Sequence, residues 1–220
     1  MPEVVHDLHG HAVPGLAHHF DTLEQQREAT TLGMWVFLVT EVLFFGGLFV
    51  VYAVYRNWYP EAFAAASHEL DVMLGGINTA VLITSSLTMA LAVHAAQTGK
   101  RNLVMLFLIA TMLLGGVFLG IKSVEYYHKF TEHHVPGPGF QFEKEYVRHA
   151  QLFFSLYFLM TGLHALHMII GLGIMTWMLV WSWRGVITAE YYSPIEISGL
   201  YWHFVDIVWI FLFPLLYIAK

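Results

Sequence analysis

Apolar residues along this chain gather in long unbroken runs instead of short alternating stretches. Five runs reach the roughly 20 residues that a helix needs to cross a bilayer. They lie near 31–55, 73–97, 103–122, 150–183 and 197–218. The breaks carry turn and loop residues: RNWYPEAF after the first run, QTGKRN after the second, HHVPGPGF in a long loop after the third, and WRGVITAEYYSP before the last. Two breaks are short, which makes neighbouring helices antiparallel. There is no internal repeat and no Gly/Pro-broken pair of half-helices of the transporter kind. The pattern predicts an all-α polytopic membrane protein, a bundle of five transmembrane helices within residues 31–220. A polar, His-containing segment over residues 1–30 precedes it.

Composition strengthens that reading. The chain is 57% hydrophobic and only 12% charged, where a soluble domain carries about 25% charged residues. With no cysteine, disulfides, thiolate-bound zinc and iron–sulfur clusters are excluded. A net charge of −6 with ten Lys and Arg leaves no basic surface for nucleic acid. The start, MPEVVHDLHGHAVPG, lacks the basic and apolar regions of a signal peptide, so the first run is expected to insert the chain and the tail to be kept. Basic residues do not orient the bundle. Arg27, Lys100, Arg101 and Arg184 fall on one side, and Arg56, Lys129, Lys144, Arg148 and Lys220 on the other. His6, His9, His11, His18 and His19 in the tail, and His133 and His134 in a Pro/Gly loop, read as solvated polar residues, since spacing suggests no complete ligand set.

The sharpest signal is a set of ionisable residues inside the apolar runs. Glu41, in FLVTEVLFFGG, lies about 15 Å into the first run at 1.5 Å per residue. A carboxylate there costs roughly 2.5–3.5 kcal/mol on insertion scales. His164 and His167 sit in the fourth run, and His203 and Asp206 in the fifth, at a similar level. Each pair is spaced i,i+3 and is expected to share a helix face, bonding its mate or Glu41. The second run adds Asn78, Thr79, Thr84, Ser85, Ser86 and Thr88, small polar residues of the kind that tie membrane helices together. Three chemistries fit this belt. His164, His167 and His203 can ligate haem or iron with Glu41 and Asp206; the groups can form a proton or ion pathway; or they can lock helices together. Two histidines on one helix at i,i+3 are an unusual set for haem.

The segments GMWVFLVTEVLFF (33–45), TGLHALHMIIG (161–171) and GLYWHFVDIVWIFLF (199–213) resemble three signature segments of subunit III of haem-copper terminal oxidases. SVEYYHKF (123–130) is similar to that family's lead into its long loop, and GGINTAVLITSS (75–86) to its Asn–Thr helix. The resemblance covers about residues 25–218 and implies the short, five-helix form of the cytochrome c oxidase subunit III family. It implies a chain without catalytic residues, with no cofactor of its own; haem and copper belong to partner subunits. It places the chain on subunit I, in a complex with subunit II, supporting assembly, proton uptake and turnover stability while oxygen is reduced to water. The implied location is the bacterial cytoplasmic (inner) membrane, with the N-terminus cytoplasmic. Longer members hold phospholipid in a cleft between their first two helices and the other five. This chain starts where their third helix would be, leaving Arg56 and Arg184 as expected head-group contacts. On this reading Glu41 is a protonated or hydrogen-bonded carboxyl, and the belt is structural or proton-related, with no metal. The alternatives are an accessory chain of a quinol oxidase or nitric oxide reductase, or a stand-alone transporter or metal-dependent oxygenase.

Overall fold

A computed structural model describes Leu16, residues 19–142 and residues 146–218. His6, His9, His11 and His18 of the tail, with Lys144 and Lys220, lie outside the described residues. The first helix, α1, spans Leu23–Trp58, and the Thr22 hydroxyl caps it by accepting from the Gln25 N–H at 3.1 Å. A short helix, α2, covers Pro60–His68. Next come α3 (Val72–Gln97), capped by the Asp71 carboxylate, α4 (Arg101–Thr131) and α5 (Val147–Trp183). The last, α6, covers Ser193–Phe213 and passes at Pro214 into a π-helical turn, Pro214–Ile218. There is no strand among the described residues. Five helices, counting Ser193–Ile218 as one, are long and apolar enough to cross a membrane. The chain is a multi-pass membrane protein.

Glycine sets the two sharp reversals on one end of the bundle. Gly99 (φ +69°) follows α3 and Gly185 (φ +77°) follows α5. In each, the next residue's N–H returns to a carbonyl of the last turn, Lys100 to Ala95 at 2.9 Å and Val186 to Trp181 at 3.0 Å. These left-handed caps close the helix ends where a side chain would be strained.

Two features depart from the apolar pattern. The RNWYPEAF break, expected to be loop, contains the start of α2. Pro60 fits a first helical position because its missing N–H needs no partner there, and Ala62, Phe63 and Ala66 are buried. The second departure is in α4, which runs nine residues past the apolar run that ended at 122. Its polar extension continues as helix because Lys122, Glu125 and Lys129 face inward and are buried.

The helix α6 forms the axis of the bundle. Protein buries 56% of its apolar window, against 11% for α1. Trp202 and Trp209, seven residues apart, share one face and are fully buried. Their indole N–H groups donate to Ser85 Oγ and Thr79 Oγ1 of α3, both at 3.0 Å. The Trp202 ring fills notches at Gly115 of α4 and Gly171 of α5, where an added Cβ would stand 2.9 and 2.8 Å from it. With little hydrophobic drive between helices in lipid, such close packing and hydrogen bonding supply the cohesion.

Candidate functional site

Glu41, His164, His167, His203 and Asp206 do not form one cluster. They separate into a paired site, a notch and a lone imidazole. Glu41 of α1 meets His167 of α5, with Oε2 3.2 Å from Nε2. The other ring nitrogen, Nδ1, lies 2.8 Å from the Leu163 carbonyl. A carbonyl only accepts, so Nδ1 carries a proton. The bond between Nε2 and Oε2 then holds a single proton, on the carboxyl or on the ring. Either way the pair is neutral overall, which suits a site inside the apolar bundle. Side chains of Glu41 and His167 keep 18% and 13% exposure, while Phe45 packs edge-on against the imidazole at 5.3 Å. The Tyr201 hydroxyl of α6 donates to the His167 carbonyl at 3.0 Å. Three helices thus meet at this point.

His203 and Asp206 of α6 do not bond each other. His203 instead pairs with α3, its Nδ1 2.7 Å from Ser86 Oγ. Asp206 is 3% exposed; neither carboxyl oxygen makes a hydrogen bond of regular geometry, and the Ser86 hydroxyl, itself bonded to His203, is the polar group beside it. The expected shared face of His164 and His167 is also corrected. His167 turns to α1, whereas His164 lies 1% exposed between Phe118 (5.4 Å) and Trp209 (5.2 Å). Neither of its nitrogens has a partner. Two residues three apart differ by about 60° around a helix, and in a crowded bundle that suffices to send them to different neighbours. Among the described residues no group of three or more His, Asp or Glu side chains is placed to hold a metal. Arg56 sits half-buried in the last turn of α1, and Arg184 is exposed at the end of α5.

A second charged site was not singled out from the sequence. On α4, Lys122 and Glu125 pair at 3.0 Å, each 4% exposed. The ammonium also donates to Tyr157 of α5 at 3.2 Å and to Tyr217 of the π turn at 2.8 Å. Both tyrosine hydroxyls in turn donate to Glu125 Oε1, Tyr157 at 2.7 Å. All three ammonium donors and both hydroxyl protons are therefore used. Rings of Tyr126, Tyr157, Trp209 and Tyr217 stand 5.1–5.5 Å from the nitrogen, within cation–π range. The same turn is held by two further side chains: the Tyr52 hydroxyl donates to the Leu215 carbonyl at 3.0 Å and Ser67 Oγ to the Leu216 carbonyl at 2.9 Å. The spacing of Lys122, Glu125 and Lys129 at i, i+3 and i+7 was the available signal.

One turn further on, Lys129 binds Glu132 at 2.5 Å, and His134 Nδ1 lies 3.3 Å from the same carboxylate. The His134 ring stacks on Phe154 at 5.0 Å. Burial, and then the positive charge of Lys129, hold the His134 imidazole below its ordinary range. For Glu132, partial burial acts upward, but the hydrogen bond and charge of Lys129 outweigh it and draw the carboxyl down.

Comparison with known proteins gives a consistent result. The family model described as cytochrome c oxidase subunit III matches residues 16–220. The quinol oxidase subunit 3 of Bacillus subtilis is 35% identical over 188 residues, covering 85% of each chain. The cytochrome c oxidase subunit 3 of Synechocystis is 33% identical over 219 residues, 96% of this chain and 84% of that one. The cytochrome bo(3) ubiquinol oxidase subunit 3 of Pseudomonas aeruginosa is 30% identical over 207 residues, 92% and 91% of the two chains.

Proposed function

The chain belongs to the cytochrome c oxidase subunit III family, and we propose that it sits on subunit I of a respiratory haem-copper oxidase, in a complex with subunit II. There it supports assembly, proton uptake and sustained turnover without carrying out the chemistry. Haem and copper reside in the partner subunits. The membrane is the bacterial cytoplasmic membrane, with the N-terminus on the cytoplasmic face. Phospholipid head groups contact Arg56 and Arg184. The observation that carries this reading is the near end-to-end alignment with subunit 3 of several oxidases. Relatives named for quinol and for cytochrome c oxidases align about equally well, in keeping with an electron-donor site located on other subunits.

The Glu41–His167 pair adds a local reading to this. We infer that it locks α1 to α5, with its one proton held in place and not relayed. A glutamine at position 41 keeps the shape and donates an N–H to Nε2.

The test is removal of the chain from the purified oxidase. Oxygen reduction should at first persist, because the metals stay behind, and then decline over many turnovers or at higher pH. Immediate and complete loss of activity, or normal endurance without the chain, would count against the proposal. Within the intact complex Glu41→Gln should leave proton pumping close to that of the unaltered oxidase. Abolished pumping with assembly intact would assign the carboxyl to proton relay.

A further inference from the structure

We propose that the notch formed by Ser86, His203 and Asp206 receives a hydrogen-bonding side chain from a transmembrane helix of another subunit. The inference rests on the reading that this chain works inside an oxidase complex.

The notch opens from the side of the bundle between α3 and α6. It is a cavity of about 380 Å³, lined by those three residues and by Leu87, Ile207 and Ile210 among others. Its apolar rim faces outward: Leu87 is 60% and Ile207 51% exposed. At its base the carboxyl of Asp206 is buried, and neither oxygen makes a regular hydrogen bond, with only the Ser86 hydroxyl beside it. Ser86 and His203 are bonded to each other at 2.7 Å. A buried carboxyl with no partner in hydrocarbon is costly in either protonation state, because it needs at least one acceptor or donor. Within the fold only the Ser86 hydroxyl, already engaged with His203, stands beside it, whereas the need is met fully around Glu125.

Depth decides what can meet the need. Asp206 lies thirteen residues after the start and twelve before the end of the Ser193–Ile218 span, so about 18–20 Å from either end at 1.5 Å per residue. Ser86 is equally central in Val72–Gln97. The hydrocarbon half-thickness is about 15 Å. Lipid head groups and ester oxygens are therefore out of reach, and acyl chains neither donate nor accept hydrogen bonds. A side chain on a neighbouring membrane-spanning helix fits both halves of the site. Its apolar flanks cover Leu87 and Ile207, and its polar tip, a hydroxyl, carboxamide, indole or imidazole, reaches Asp206.

The experiment uses the purified complex. A benzophenone amino acid in place of Leu87, with Asp206 intact, is irradiated and the adduct mapped by mass spectrometry. The expected product joins position 87 to a transmembrane peptide of another subunit. Adducts confined to phospholipid, in preparations where the chain still copurifies with the haem-bearing subunits, would overturn the notch while leaving the proposed function standing. Failure of the chain to copurify at all would instead strike at the proposed function. As a second arm, Asp206→Asn keeps hydrogen-bonding capacity and should be retained in detergent like the unaltered chain. Asp206→Leu should be retained on the order of tenfold less. Equal retention of the Leu variant, as expected if water alone occupies the notch, would sink the proposal. If Asp206→Leu fails to accumulate in membranes before detergent is added, the adduct from the Leu87 position decides.

Discussion

Two buried acidic residues, Glu125 and Asp206, lie in the same bundle under opposite conditions. Around Glu125 a lysine and two tyrosines close a complete circuit of hydrogen bonds. Around Asp206 neither oxygen makes a regular hydrogen bond, and the Ser86 hydroxyl alone stands beside it. Burial alone therefore says little about the role of a membrane carboxyl. A satisfied group has its partners inside the fold and holds that fold together. An unsatisfied one at the base of an open notch, unlike the enclosed His164, points to something the fold lacks. Glu41 stands between them, with one good partner and partial exposure.

The comparison predicts a graded set of effects, measurable as unfolding of the isolated chain in mixed detergent micelles. The largest belongs to Glu125→Leu, which leaves the Lys122 ammonium buried and uncompensated. Breaking a buried pair from one side costs about 3–5 kcal/mol. Removing both partners together, in Lys122→Met with Glu125→Leu, should recover much of that loss. A double variant no better than the single one would show that the circuit does not act as a unit. Glu41→Ala comes next. It strips Nε2 of His167 of its partner and should cost about 1–2 kcal/mol, with Glu41→Gln close to neutral. Equal losses for Ala and Gln would mean that the shared proton, and not the contact, matters.

Asp206→Leu should change the isolated chain by less than about 1 kcal/mol or stabilise it, because only an irregular contact with Ser86 is lost. A loss as large as that of Glu125→Leu would erase the distinction between the two sites. The smallest effect concerns His134, and it depends on pH. Its folded-state affinity for protons lies below the ordinary imidazole range, so the unfolded loop takes up a proton first as pH falls. The packing of His134 on Phe154 is thus fully favourable above about pH 6.5 and weakens as pH drops through the lower, folded value. Hydrogen exchange in residues 132–142, corrected for intrinsic rates, should quicken between pH 7.5 and pH 5. A flat profile would show that this imidazole is insulated from the loop.

Much of the architecture was legible in the sequence, since lipid solvation forces long apolar runs and the five runs map onto five spanning helices. What escaped has a common cause. Lys122, Glu125 and Lys129 look like a polar exit from the membrane when counted one by one, yet their spacing turns them onto a single buried face. Pro60 reads as a breaker, although at a first helical position it breaks nothing. The candidate site was legible as a level, with a bond from one histidine to Glu41 among the expected options, but not as one definite set of partners. Depth in the bilayer follows from counting residues, so Glu41, His167, His203 and Asp206 could be placed at one height. Which of them touch depends on how far each helix is rotated, and the all-round apolar surface of α5 gives no such reading. The pairing of Glu41 with His167, the turn of His203 toward Ser86 and the isolation of His164 all follow from that rotation.

The turn Pro214–Ile218 also orders events in time. It is the last described element to leave the ribosome, and it is gripped by Tyr52 of α1, Ser67 of α2, Lys122 and Glu125 of α4 and Tyr157 of α5 through Tyr217. Helices inserted earlier must wait in the bilayer with Lys122 and Glu125 lacking two of their final contacts until this segment arrives. Until Tyr217 is in place the charge pair holds only its bonds to each other and to Tyr157, so the circuit closes last of all the contacts in the bundle's interior.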